Sequence, residues 1–362
     1  MRCFITRTAS YLPGSPVSND EICQRLGQLN GEEEVREKIL SMNGIRLRHY
    51  AQDQHQQATH DVYELGSLAA QRCLEQNVDT RAISLLVGGT TFAPLAGPGF
   101  VSILHERLSS AGALAQPVEI SSHAGICSSA TTALVAAIRA VAGGHHGSSL
   151  CVGAEHASDV LKAKSIRPID DRADHVNVRN SRWFMSVFLR FMLSDGAGAF
   201  LLQDRPDPDR LSLQVNWTHA MSFANEAPLC MKLDCRSALL SQDLSVLSTH
   251  LFPTADKFLD HALETHDDTI DSHTIILPHM SSFFFRRKME RVIAGRCSDD
   301  SNPVPYWTNL ETAGNTGAAS IFVMLDQYLE RRELSDGDRM LLFVPESGQF
   351  NFVLISLTAG AP

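Results

Sequence analysis

The sequence predicts an α/β protein built from two similar halves, residues 1–210 and 211–362. Three observations carry that expectation. Short apolar strands alternate with helical stretches along most of the chain. The segment QDRPDPDR at 203–210 breaks the series, because two prolines and several charges can neither continue a strand nor bury easily. On each side of it, a strand runs into a helix whose first turn is crowded with small polar residues. Ligand crevices open at such strand-to-helix junctions in α/β folds.

Taken in order, FITRTASYL (4–12) reads as an apolar strand, followed by a polar, largely helical region to about residue 80. ISLLVGGTTFAP (83–94) is a strand that leads through a small-residue turn into the helix GPGFVSILHERL (97–108). EISSHAGIC (119–127) is the next strand, and the alanine-rich helix after it stops at the glycines of AVAGGHHGSS. LCVGAEH (150–156) and FMLSDGAGAFLL (191–202) are buried strands flanking a mixed segment. Beyond 211 the series resumes with LSLQVNW, a helix over 241–264, TIILPH, the helix FFFRRKMERVIA, GNTGAASIFVMLDQYLE, and the strands MLLFVPES and NFVLISLT.

Composition narrows the function. At 362 residues and 44% hydrophobic content the chain can bury large cores. A net charge of −10 disfavours nucleic acid, whose binding depends on neutralising phosphates. Eight cysteines without CxxC pairs suggest reduced core thiols, and His261, His266, His273 and His279 fit no common zinc spacing, so no metal is expected. No stretch approaches the ~20 apolar residues of a membrane span, and MRCFITRTASYLP lacks a secretory core, so a cytoplasmic location is expected.

The chemistry points to Cys127, in HAGICSSATTAL. A thiol at a helix N-terminus faces unpaired N–H groups and the positive end of the helix dipole, which is expected to lower its pKa. Small neighbours leave room for a thioester carbonyl. His279 follows Pro278 at a strand end, and Asn315 sits in GNTG at the head of a helix. These three suit a nucleophile with two hydrogen-bond donors nearby.

Together with SDGAGA (194–199) and NGIRLRHY (43–50), and in the same order along nearly the whole chain, these segments resemble the β-ketoacyl-acyl carrier protein synthase III group of thiolase-fold condensing enzymes. The resemblance implies a layered α-β-α-β-α architecture in which the 1–210 half carries the cysteine and the 211–362 half carries His and Asn. It implies Cys127, His279 and Asn315 as catalytic residues and an oxyanion site from backbone N–H groups at Cys127 and near Gly348. It further implies a cofactor-free homodimer acting on acyl thioesters of coenzyme A or of an acidic acyl carrier protein. For that carrier the basic run Arg286, Arg287 and Lys288 is a candidate docking patch, with Lys162, Lys164 and Arg167 as a second.

The sequence departs from the primary-metabolism enzymes where Lys38 and Met42 stand in place of a tryptophan and an arginine that hold coenzyme A, and in HMSSFFF and PESGQF. These departures look like the branch that makes dialkylresorcinols and cyclohexanediones by joining two carrier-bound chains and closing a ring. There Glu155, in VGAEHAS, matches a glutamate near the site; it reads equally as a surface or dimer-contact carboxylate or as the base for the second, ring-closing bond, a role that needs a pKa raised by partial burial. Two other readings are an acyltransferase to a hydroxyl or amine and a non-catalytic partner subunit. Asn315 favours condensation over the first, and the intact Cys127, His279 and Asn315 argue against the second.

Overall fold

The computed structural model describes residues 2–75, 78–166, 182–234 and 236–360. In the first half, β1 (Phe4–Tyr11) is followed by β2 (Val17–Ser18), α1 (Ile22–Leu26), α2 (Glu33–Asn43), β3 (Leu47–Arg48) and α3 (Val62–Leu74). Then come β4 (Leu85–Thr90), α4 (Phe100–Ser110), β5 (Glu119–Ala124), α5 (Ser129–Ala142), β6 (Ser148–Glu155), α6 (Ala163–Ile166), α7 (Arg182–Arg190) and β7 (Gly196–Gln203). The second half holds β8 (Ser212–Ser222), β9 (Met231–Asp234), β10 (Leu239–Gln242), α8 (Leu244–His266) and β11 (Ile275–Pro278). It ends with α9 (Arg286–Ala294), α10 (Leu310–Ala313), α11 (Ser320–Arg331), β12 (Arg339–Pro345) and β13 (Asn351–Gly360). The β9–β10 hairpin is the main element absent from the sequence reading; its strands are only four residues each, MKLD and LLSQ, with two apolar residues apiece, and carry little hydrophobic signal.

Nine strands join in the order β11-β12-β13-β8-β1-β7-β6-β4-β5. The pairing sense repeats. In the first half β4/β6 is parallel, while β6/β7 and β7/β1 are antiparallel. In the second half β11/β12 is parallel, while β12/β13 and β13/β8 are antiparallel. β5 pairs in parallel with β4. Its second-half counterpart shrinks to a single bridge between Ile276 and Tyr306.

The ladder does not lie flat. α5 touches β4, β5, β6, β7 and β8, and α11 touches β1, β7 and β11. At about 4.8 Å per strand, β11 and β7 would stand roughly 24 Å apart on a flat sheet. The sheet therefore folds back over α5 and α11. Strand alternation sorts the cores accordingly. Leu85, Val87, Ile275 and Leu277 face the central helices. Leu86 and Val152 face α3 and α4, whereas Ile276, Leu341 and Phe343 face α8 and α9. The result is five layers, α-β-α-β-α, as the resemblance implied.

Close helix-to-sheet approach has a local cause. A Cβ on Gly89 would come within 2.6 Å of Ala130 N, and one on Gly153 within 2.8 Å of Ala130 Cβ. Glycines in β4 and β6 thus let the start of α5 sit against the sheet, which fixes where Cys127 lies.

Candidate active site

Cys127 lies just before α5, whose first cap is Ser128, and it is buried. The expectation of a lowered thiol pKa fails. Burial pushes the thiol well above its usual value, and the carboxylates of Glu346 and Glu155 push it further. Desolvation and two negative groups outweigh the helix terminus.

His279 is buried immediately after β11, where its N–H donates to Phe343 O at 2.8 Å. Burial lowers its pKa to about 4, so the ring is neutral at physiological pH. Ser320 Oγ stands 2.6 Å from His279 Nδ1. With the hydroxyl donating, the ring proton resides on Nε2, free to hydrogen-bond a substrate oxygen.

Asn315 is buried, and its backbone N–H donates to Met192 O at 3.1 Å while its carbonyl accepts from Ser194 N at 2.8 Å. Asn315 Oδ1 accepts from Gly317 N at 3.0 Å. That bond fixes the amide with its NH2 donors turned to the remaining side.

Glu155 ends β6 and is buried. Its Oε2 accepts from Thr91 Oγ1 at 2.5 Å and from Ala318 N at 3.0 Å. Burial raises its pKa to about 7, the perturbation the base role requires. Gly317 has φ +49°, and a Cβ there would run into Glu155 Oε2, so only glycine admits the carboxylate in this pose.

Two cavities meet at Cys127. One is lined by His279 and by Leu247, Leu251, Phe285, Met289 and Phe343. The other carries Glu155 and Asn315 among Ile126, Val160, Met192, Met231 and Leu240. Cys127, Ser281 and Ser347 line both. The structure thus gathers His279, Asn315 and Glu155 around the Cys127 thiol.

Glu346 is the residue that sequence reading missed. It is buried, and its Oε2 accepts from the Ser128 hydroxyl and, at 3.4 Å, from Ser128 N. Its Oε1 accepts from Gln349 N at 3.3 Å. The signal was present as an acid in the altered final loop PESGQF, but nothing local showed that it turns inward. Gly348 packs against the same group. A Cβ on Gly348 would lie 2.5 Å from Glu346 Oε1 and 2.8 Å from Ile126 Cγ1.

Arg286, Arg287 and Lys288 open α9 and are exposed. Arg286 stacks over Phe283 at 4.0 Å, and Lys288 lies 5.1 Å from the Phe252 ring. Of the second basic set, Lys162 is buried and ion-paired to Asp159 at 3.0 Å, which removes it as a docking residue. Lys164 is exposed, and Arg167 lies outside the described residues. Among the described residues no cluster of His, Cys, Asp and Glu is arranged to hold a metal, and no helix is long and apolar enough to cross a membrane.

Residues 299–348 match the family model described as 3-oxoacyl-[acyl-carrier-protein (ACP)] synthase III C terminal. Solved structures similar to this chain include AbyA1, a tetronic acid condensing enzyme, at 20% identity and TM-score 0.75, covering 98% of this chain and 99% of that one. The 3-oxoacyl-[acyl-carrier-protein] synthase III of Aquifex aeolicus is 18% identical with TM-score 0.73, again covering 98% and 99%. Cerulenin-bound OleA of Xanthomonas campestris is 18% identical with TM-score 0.76, covering 99% of each chain. The chain has the thiolase-like fold of the 3-oxoacyl-[acyl-carrier-protein] synthase III type of ketosynthase.

Proposed function

We propose that this chain is a ketosynthase that joins two acyl chains by Claisen condensation at Cys127. The observation that carries the reading is the meeting of two apolar cavities at one thiol, with His279 in one and Glu155 and Asn315 in the other. Cys127 attacks an acyl thioester, and backbone N–H groups at Cys127 and Gly348 hold the oxyanion. The carrier thiol leaves, and the acyl chain rests in one cavity. The second thioester, of the malonyl or β-ketoacyl type, enters the other. The enolate forms as a malonyl group loses CO2 or as a β-ketoacyl carbon gives its proton to Glu155, and hydrogen bonds from His279 and the Asn315 amide to the carbonyl oxygen stabilise it. The carbanion attacks the acyl carbon, Cys127 is released, and the new carbon–carbon bond remains.

Glu155 suits removal of a proton from carbon, because its pKa of about 7 leaves a base available at neutral pH. With a β-ketoacyl partner the same base serves a second, ring-closing bond to a cyclohexanedione or dialkylresorcinol precursor. An asparagine rather than an acid at position 315, buried beside the cavity at Cys127, supports condensation over acyl transfer to a hydroxyl or amine. An acidic acyl carrier protein would dock on Arg286, Arg287 and Lys288. A homodimer belongs to the same reading, supported by β5, an unpaired edge with Ile120 40% exposed. So does the expected cytoplasmic location.

The test is intact-protein mass spectrometry with an acyl thioester, with and without a β-ketoacyl thioester, followed by product analysis. Cys127 acylation that disappears as a carbon–carbon-linked product forms is expected, and Cys127→Ala should load nothing. Discharge only to a hydroxyl or amine would establish the transferase. No loading from any thioester would leave a partner subunit.

A further inference from the structure

The internal repeat places a second carboxylate where Glu155 has its counterpart. The facing pairs Gly88↔Val152 and Pro278↔Phe343 align β4/β6 with β11/β12, with Val152 and Phe343 both turned to their half's outer core. On that alignment Glu155 corresponds to Glu346. Each carboxylate reaches the start of the central helix of the opposite half. Glu155 Oε2 accepts from Ala318 N before α11, and Glu346 Oε2 accepts from Ser128 N before α5.

The hydrogen bonds around Glu346 all point inward. Asn351 Nδ2 donates to Ser128 Oγ at 2.9 Å, so the Ser128 proton is turned to Glu346, and Gln349 N donates to its other oxygen. Both Glu346 oxygens thus act as acceptors. Glu346 lies between Pro345 and Ser347, which line the cavities at Cys127, and its charge is felt by that thiol. Among the described residues lining either cavity there is no lysine or arginine to balance it.

We propose that Glu346 is a specificity-determining residue: its negative charge at the start of α5 restricts Cys127 to acyl groups that carry no carboxylate of their own. An acyl group with a free carboxylate, such as succinyl or malonyl, would enter a narrow apolar space already flanked by Glu155 and Glu346, with no cation to pair with. An uncharged alkyl or aryl chain meets no such cost. The restriction concerns the loading step and rests on Cys127 being the acyl acceptor; the alkylation ratio that tests it does not.

The experiment compares alkylation of Cys127 in the full chain by neutral iodoacetamide and anionic iodoacetate, mapped by peptide mass spectrometry. The ratio of the two rate constants cancels changes in thiol pKa and general access. In the unaltered protein the iodoacetate/iodoacetamide ratio is expected to lie about tenfold or more below that of the same chain unfolded in urea, the size expected for a unit charge within roughly 10 Å at an effective dielectric near 20. Glu346→Gln should raise the ratio about tenfold, and Glu346→Asp, which keeps the charge, should leave it low. Glu346→Gln should also gain Cys127 loading from succinyl-coenzyme A. A folded-protein ratio equal to the unfolded one would overturn the proposal without any variant. So would an unchanged ratio in Glu346→Gln or, where the unaltered protein loads a neutral acyl thioester, succinyl loading of Glu346→Gln no faster than that of the unaltered protein. Failure to load any acyl thioester would count against the condensing reading alone, because the ratio is read from alkylation.

Discussion

Replacing Glu155 by glutamine should cost activity and gain stability, with both effects following one titration. The carboxyl is moved from 4.5 to about 7 by burial. As a base it works only when ionised, so the ionised fraction rises from about a tenth at pH 6 to about nine tenths at pH 8. The carbon-deprotonation step should then speed up roughly ninefold across that range. In Glu155→Gln the slope should vanish and the rate fall by about 10²–10⁴. Stability runs the other way. Below pH 4.5 the group is protonated in both states and contributes nothing. As pH rises from 4.5 to 7 the unfolded chain loses the proton while the folded chain keeps it, so stability falls, by about 3 kcal/mol once pH exceeds 7. Glutamine removes that penalty and keeps an oxygen for Ala318 N. With an unfolding entropy of about 0.8 kcal/mol/K for 362 residues, Glu155→Gln should raise Tm by about 4 °C at pH 8 and hardly at all at pH 4. The assay is single turnover of preloaded acyl-enzyme with a β-ketoacyl thioester from pH 5.5 to 8.5, beside calorimetry at pH 4 and 8. A flat pH profile in the unaltered enzyme, or a slope that survives in Glu155→Gln, would refute the base assignment. A Tm that does not rise at pH 8 would refute the burial argument beneath it.

The site supports further outcomes. Gly317→Ala should displace the Glu155 carboxyl and abolish the pH 6–8 slope while leaving acyl loading of Cys127 within about threefold, measured by intact mass. Ser320→Ala frees His279 Nδ1, so condensation should fall about tenfold in kcat with little change in KM, and Ser320→Thr should restore much of it. Reversing Arg286, Arg287 and Lys288 to glutamate should cut kcat/KM with a carrier-bound donor at least about tenfold at low salt, with a smaller effect at high salt and none with a coenzyme A donor. Equal loss with both donors would exclude the patch.

What the sequence made legible follows from how local each signal was. The strands β4, β6 and β13 announced themselves as apolar runs, and Cys127, His279 and Asn315 lay at junctions flanked by glycine or proline. The thiol's electrostatics were not local. A helix terminus is visible in sequence, but the carboxylate that opposes it arrives from a position 218 residues away through the Ser128–Glu346 hydrogen bond. The same holds for Lys162, which reads as a surface cation in AKSIR's neighbourhood and instead buries against Asp159 one helical turn earlier. Gly317 looked like part of a turn; its second role, clearing space for Glu155, exists only because β6 ends opposite it.

The protonation states fix an order of events. Cys127 is a neutral thiol and His279 a neutral imidazole at pH 7, so the resting site holds no thiolate–imidazolium pair. Its charge comes from carboxylates. A neutral thiol is slow to oxidise or alkylate, which keeps the nucleophile intact while the cavities are empty. Reaction must therefore begin with a thioester seated against the N–H groups before Cys127, where developing oxyanion charge offsets loss of the thiol proton. Once the acyl group covers the sulfur, the thiol no longer titrates and Glu155 is the remaining group near neutrality. Loading and bond formation should thus show different pH dependences, loading governed by the raised thiol and condensation by a carboxyl near 7. One bell-shaped profile shared by both half-reactions would mean that a single proton couples them, and the division of labour between Cys127 and Glu155 would fail.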